Sequence, residues 1–217
     1  MIHGFVERYI TFRGELRTFM VYVPREIESL QPIPAILHLH GRGESGEDGT
    51  KPLIHGVPRS ILFARDRWPF IVVMPQKRKE TELWPEERDF LNAVLEKVES
   101  EYAIDPHRRY LTGLSQGGNG TFALATKLRW HFAAIAPVCG WCDPATAAKE
   151  LVNIPLWAFH GATDDVVKPS GSILAVEALR EAGATPKLTL YPGVGHNSWE
   201  KAYMEEALPK WFLSHTL

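Results

Sequence analysis

The chain has 217 residues, 45% hydrophobic and 23% charged, with a formal net charge of -2, which are the proportions of a soluble globular protein with one sizeable core. Charge so near neutral, with no basic stretch, gives nucleic-acid binding no electrostatic support. No apolar run reaches the length of a membrane-spanning helix.

The first eight residues, Met1 to Arg8, lack the charged-then-apolar pattern of a secretory signal. The expectation is a cytoplasmic protein, or a mature or excised domain. Sixteen prolines against four asparagines and three glutamines suit a heat-tolerant protein.

Phe5 to Phe12 and Arg17 to Val23 alternate as half-buried strands do, and Gly14 between them predicts an antiparallel hairpin. Pro34 to His40 is a continuous apolar strand that ends in Gly41. A Gly-rich, charged loop follows from Arg42 to Thr50, then a helix over Val57 to Arg67 and a buried strand over Phe70 to Met74. Glu86 to Tyr102 is the clearest amphipathic helix, with Phe90, Leu91, Val94, Leu95 and Val98 on one stripe. A strand over Arg109 to Gly113 leads into a helix that opens near Gln116 and runs toward Trp130. Beyond it the pattern predicts a strand over Phe132 to Val138 and a short helix over Pro144 to Val152. A strand over Pro155 to His160, a helix over Ser170 to Ala182, a strand over Lys187 to Tyr191 and a last helix over Ser198 to His215 complete the chain. Apolar strands alternating with amphipathic helices predict a single α/β domain over residues 1–217. Its mostly parallel sheet has about eight strands, helices on both faces and the first two strands at an antiparallel edge.

Ligands bind such a sheet at the carboxyl ends of its strands, and four strand ends carry reactive groups. Gly113-Leu114-Ser115-Gln116-Gly117 joins a strand to a helix, the setting of a nucleophile elbow. There a serine projects from a tight turn, and glycines permit close approach of strand and helix. His40-Gly41-Arg42-Gly43-Glu44 follows the third strand. An oxyanion hole draws one N–H from such a loop and one from the residue after the nucleophile, which points to the backbone N–H groups of Arg42 and Gln116. His160-Gly161-Ala162-Thr163-Asp164-Asp165 follows the seventh strand. Either aspartate could orient a histidine, while His160 itself shapes the turn. Gly193-Val194-Gly195-His196 follows the eighth strand, and its glycines predict a flexible loop that swings His196 over Ser115. The other histidines fit less well, His38 lying inside a strand.

With these motifs the sequence resembles the α/β-hydrolase superfamily, and within it the compact phospholipase/carboxylesterase-like branch that includes predicted peptidases. The resemblance rests on Leu39 to Gly46, Met74-Pro75-Gln76, Ile104-Asp105, Arg108 to Gly118, His160 to Val167 and His196 to Tyr203. The family pattern His-Gly-x-x-Asp-x-x-Val implies Asp164 as the acid, and the family implies His196 as the base. Arg42 stands where relatives often carry a small or apolar residue, and its side chain either binds an acidic group or points to solvent. No long insertion follows the sixth strand, where many lipases carry a lid, which implies an open site for soluble esters.

Cys139 and Cys142 form a C-x-x-C, but in the wrong fold for thioredoxin-like redox chemistry and without further ligands for zinc. The expectation is two buried thiols or a local disulfide. Trp84, Trp141 and Trp199 fall near the active-site face and are candidates for lining a substrate pocket. Glu44 and Asp48 read as solvated or loop-ordering residues. The expected activity is a serine carboxylesterase for short-chain esters, with Ser115, His196 and Asp164 as its triad and neither a metal nor an organic cofactor. The expected partner is a small-molecule ester, with no nucleic acid and no membrane. Alternatives with the same site are a feruloyl or acetyl esterase of plant cell walls, a peptidase, and a silent binding module.

Overall fold

The computed structural model describes residues 2–25 and 31–217. Met1, part of the N-terminal stretch read above, lies outside them.

Eight strands form one sheet in the order β1-β2-β4-β3-β5-β6-β7-β8. They are β1 (Gly4–Phe12), β2 (Glu15–Val23), β3 (Ile33–Leu39), β4 (Ile71–Pro75), β5 (Ile104–Leu114), β6 (Ala134–Val138), β7 (Trp157–Gly161) and β8 (Lys187–Tyr191). β1 and β2 pair antiparallel, β2 runs antiparallel to β4, and the rest of the sheet is parallel. The sequence-predicted edge and the parallel interior are both present. The helices are α1 (Val57–Ala64), α2 (Arg88–Glu101), α3 (Gln116–Leu124), α4 (Pro144–Glu150), α5 (Ser170–Glu181), α6 (Trp199–Ala202) and α7 (Ala207–Leu213).

The interior strands are apolar on both sides because helices cover both faces. On one face Leu37, Val73 and Leu111 pack with Phe90, Leu91 and Val94 of α2, Phe122 of α3 and Val176 of α5. On the other, Ile36, Val72 and Tyr110 pack with Ile61 of α1 and with Leu208 and Phe212 of α7. The alternation of neighbours such as Ile36 and Leu37 between these two groups is the period-two geometry of a strand. The α2 stripe read from the sequence is fully buried.

Several element ends differ from expectation. The helix predicted over Ser198 to His215 is two helices, because Pro209 has no N–H and its ring collides with the carbonyl four residues back. The helices predicted to reach Arg67 and to begin at Glu86 exchange their outer turns for 3-10 geometry. α3 closes at Leu124 rather than running on to Trp130. No helix among the described residues is long and apolar enough to cross a membrane.

Candidate active site

Parallel β3, β5, β6 and β7 bring their carboxyl ends to one edge, with Leu39 beside Gly113, Leu114 beside Val138 and Val138 beside Phe159. Ser115 follows β5 at once and has φ +55, a left-handed conformation that costs a non-glycine residue on the order of 1–3 kcal/mol. The turn holds because its neighbours lack side chains. A Cβ on Gly117 would lie 2.0 Å from the Leu39 carbonyl oxygen, and one on Gly113 would lie 2.4 Å from the Gly117 carbonyl oxygen. The Ser115 N–H donates to the Val138 carbonyl (3.0 Å), which pins the serine above the sheet.

The histidine reaches it from the loop after β8. His196 Nε2 is 2.9 Å from Ser115 Oγ, and His196 Nδ1 is 2.8 Å from Asp164 Oδ2. Asp164 is 3% exposed, whereas Asp165 is exposed to solvent, so the structure separates the two aspartates that the turn offered. Asp164 Oδ1 accepts from the N–H groups of Val166 (3.0 Å) and Val167 (2.9 Å). Burial works against its charge, but the bonds from His196 and these two amides hold its carboxyl below the ordinary range. His160 stands behind it, with Nε2 at 2.9 Å from the Val167 carbonyl and 3.2 Å from Asp164 Oδ2, while Nδ1 meets Ser172 Oγ at 2.8 Å. Burial lowers the pKa of this imidazole.

The loop carrying His196 differs from the swinging segment its glycines suggested. It is tied to the turn after β7 by Ala162 N–H to the Tyr191 carbonyl and Thr163 N–H to the Val194 carbonyl, both 3.0 Å. A Cβ on Gly161 would lie 2.1 Å from the Gly195 carbonyl oxygen. Gly161 is what permits this close approach, while Gly193, at φ +67, turns the loop and meets nothing within 4 Å.

Gln116 opens α3, so its N–H has no acceptor within the helix. It lines the cleft beside Ser115 with Gly41, Arg42 and Gly43. The loop after β3 is built on His40, which is buried. Its Nδ1–H donates to the Gly41 carbonyl, and its Nε2 accepts from the Lys77 N–H at 3.1 Å. The Arg42 carbonyl closes a turn by accepting from Ser45 N–H and Oγ. The Arg42 guanidinium pairs at the surface with Glu80 (3.1 Å).

The cleft holds about 360 Å³ and is completed by Glu44, Leu114, Trp141, Val166, Val167 and Trp199. A larger surface concavity of about 670 Å³, between the start of β1 and the end of α1, contains none of these groups. Trp141 and Trp199 line the cleft as anticipated. Trp84 does not. It is fully buried, donates its indole N–H to the His40 carbonyl (2.9 Å) and packs edge-on against the His40 ring at 4.8 Å. A loop tryptophan near a strand end is equally placed to support the loop after β3 from beneath, and Gly120 makes room for it. Leu114, Val166 and Val167 escaped the sequence reading, although the two valines lie inside its acid motif. Glu44, read there as a loop residue, faces the cleft. Cys139 and Cys142 are both free, so the disulfide alternative is not realised. Burial pushes the Cys139 thiol up to about 12 and that of half-buried Cys142 up to about 11.

Comparison with known proteins places this geometry in a lineage. A sequence model described as phospholipase/carboxylesterase matches residues 68–212. The chain belongs to that family. The matched span includes Ser115, Asp164 and His196 but not the loop after β3. A bifunctional acetylxylan esterase/xylanase of Neocallimastix patriciarum is 26% identical over 75% of this chain and 23% of its own length. A probable feruloyl esterase C of Aspergillus niger is 25% identical over 85% of this chain and 69% of its own length. The carboxylesterase SOBER1 of Arabidopsis thaliana is 31% identical over 49% of this chain and 53% of its own length. The chain thus spans from about a quarter to about two thirds of these relatives. Among solved structures, a thermostable esterase superposes with a TM-score of 0.87 at 26% identity, covering 99% of this chain and 64% of that one. The fold is the α/β-hydrolase fold.

Proposed function

We propose that the chain is a serine carboxylesterase that cleaves short-chain carboxylic esters through an acyl-enzyme on Ser115. The observation that carries this reading is the unbroken run of hydrogen bonds from Ser115 Oγ through His196 to Asp164, in a cleft bordered by Arg42 and Gln116. Ser115 Oγ attacks the ester carbonyl as His196 Nε2 takes its proton, and Asp164 stabilises the imidazolium through Nδ1–H. The Arg42 and Gln116 N–H groups receive the oxyanion, each contributing about 3–4 kcal/mol at the transition state. The alcohol leaves with the proton from His196, and water releases the acyl group by the same steps reversed.

The cleft's small volume supports short acyl groups. A second reading, a feruloyl or acetyl esterase, is favoured by Trp141 and Trp199 in the walls and by the names of two relatives. Hydrolysis of p-nitrophenyl acetate, butyrate, decanoate and ferulate tests both. Acetate and butyrate are expected to turn over at least about tenfold faster than decanoate. Decanoate as the best substrate would overturn the short-chain reading, and ferulate as the best would transfer support to the second.

Asp164→Asn is expected to lower kcat on p-nitrophenyl acetate by about four orders of magnitude. If the amide NH₂ faces His196, the ring must accept at Nδ1 and carry its proton on Nε2, where it cannot take the serine's. If the amide carbonyl faces His196, the NH₂ meets the Val166 and Val167 donors. A loss of less than about tenfold in a folded variant would remove Asp164 from the mechanism.

A further inference from the structure

Glu44 is 9% exposed and lines the cleft, yet its Oε2 has no hydrogen-bond partner among the described residues. A buried carboxylate oxygen left unpaired is costly, and in a native structure it calls for a specific reason. The nearby cations do not supply one. The Arg42 guanidinium is engaged with Glu80, and His55 Nε2 is 4.0 Å from the other oxygen, Oε1, beyond hydrogen-bond reach. Glu44 is also fixed in place. Its carbonyl accepts from Gln76 Nε2 (2.9 Å), and the other end of that amide accepts from the Gly49 N–H (2.7 Å).

The carboxylate lies close to the chemistry. A Cβ on Gly41 would be 3.0 Å from Glu44 Oε2 and 3.5 Å from Ser115 Cβ. It shares its wall with Trp199, since the His55 ring bridges the two, 5.7 Å from the indole. Trp199 lines the cleft too, and its indole N–H is buried without an acceptor among the described residues. Trp199 in turn stands edge-on to the His196 ring at 5.3 Å. This wall therefore borders the place where His196 hands its proton to the departing alcohol. An acceptor and a donor, both unpaired, are what a hydroxyl group uses, because it offers one proton and lone pairs.

We propose that Glu44 is a specificity-determining residue that accepts a hydrogen bond from a hydroxyl on the alcohol half of the ester, with Trp199 donating to the same alcohol. The preferred substrates are then short-chain esters of neutral polyhydric alcohols. Simple alkyl esters leave both groups unpaired, and anionic alcohols are repelled. The inference rests on the esterase reading above and goes beyond it by assigning the alcohol.

Glycerol monoacetate and n-propyl acetate carry the same acyl group and the same number of alcohol carbons, differing by two hydroxyls. The ratio of kcat/KM on the first to that on the second is expected to be roughly 10- to 100-fold in the wild type, the worth of a hydrogen bond to a charged group. Glu44→Ala is expected to bring the ratio to near one, and Glu44→Gln, whose amide oxygen still accepts, to an intermediate value. General damage to the site cancels in the ratio, and the near-isosteric Gln variant guards against misfolding in the Ala variant. A wild-type ratio near one, or a ratio unmoved in both variants, overturns the assignment while hydrolysis of p-nitrophenyl acetate leaves the esterase reading standing. Absence of turnover on every ester overturns both.

Discussion

Replacing Ser115 with alanine is expected to lower kcat for ester hydrolysis by about six orders of magnitude, with little change in the thermal unfolding midpoint. The serine hydroxyl is the group that meets His196 Nε2, at 2.9 Å, and an oxyanion hole without a nucleophile retains only a small residue of catalysis. Folding is spared for three reasons. Alanine accepts φ +55 at about the same cost as serine. The close packing at Gly113 and Gly117 involves backbone alone. His196 is partly exposed, so water can replace the lost hydroxyl. Steady-state kinetics beside a thermal melt check this. Wild-type rates in the alanine variant would remove the nucleophile from its assigned place, and a collapsed melt would show that the hydroxyl also holds the turn together.

A second large effect is expected in acid, and it comes from outside the triad. His38 and His40 sit at the end of β3 and are both about 1% exposed. Burial lowers the pKa of each to about 3. Neither His38 nitrogen has a hydrogen-bond partner among the described residues, and a Cβ on Gly56 would lie 2.2 Å from its Nε2. The Lys77 N–H occupies the site where a second proton on His40 would go. Unfolded histidine titrates near pH 6.5, so between pH 6.5 and 3 the unfolded chain binds more protons than the native one. Unfolding free energy then rises with pH and falls as the solution is acidified. Each imidazole removes about 1.4 kcal/mol per pH unit below pH 6.5, up to about 5 kcal/mol at pH 3. A whole domain is stable by only about 5–15 kcal/mol. His160 acts in the same direction. Asp105 and Asp164, held below their ordinary values, add further loss below pH 4. Urea unfolding at pH 7.5, 6.0, 5.0 and 4.5 is expected to trace this slope, and His38→Leu to flatten it by about one proton. A variant as acid-labile as the wild type would acquit His38.

The parts of the site that were legible in the sequence are those whose chemistry demands a local pattern. The elbow needs its two glycines within four residues of each other. The turn after β7 offered two aspartates, and only the family resemblance pointed to Asp164, whose carboxylate the turn's own N–H groups bind. What escaped depends on distant partners. Trp84 and Trp199 look alike as loop tryptophans, but Trp84 rolls beneath His40, 44 positions away. Glu44 turns into the cleft because Gln76, 32 positions on, holds its carbonyl. The glycines around His196 read as mobile until the turn after β7 is laid against them. At the level of the fold, the number of strands, the antiparallel edge and helix placement followed from periodicity, while helix ends moved wherever a proline or a tight turn intervened.

The bonds between the turn after β7 and the loop after β8 have a bearing on how such a site changes over time. They make Asp164 and His196 two ends of one braced unit, with Trp199 on the same segment as His196, while Glu44 and His55 come from a separate stretch after β3. The proton-moving groups of the proposed mechanism and the carboxylate proposed to choose among alcohols are thus inherited on different segments. Substitutions after β3 that keep the turn from Arg42 to Ser45 can retune selectivity without misaligning the base, and a chimaera that exchanges the stretch beyond that turn between relatives would be the natural way to transplant a preference.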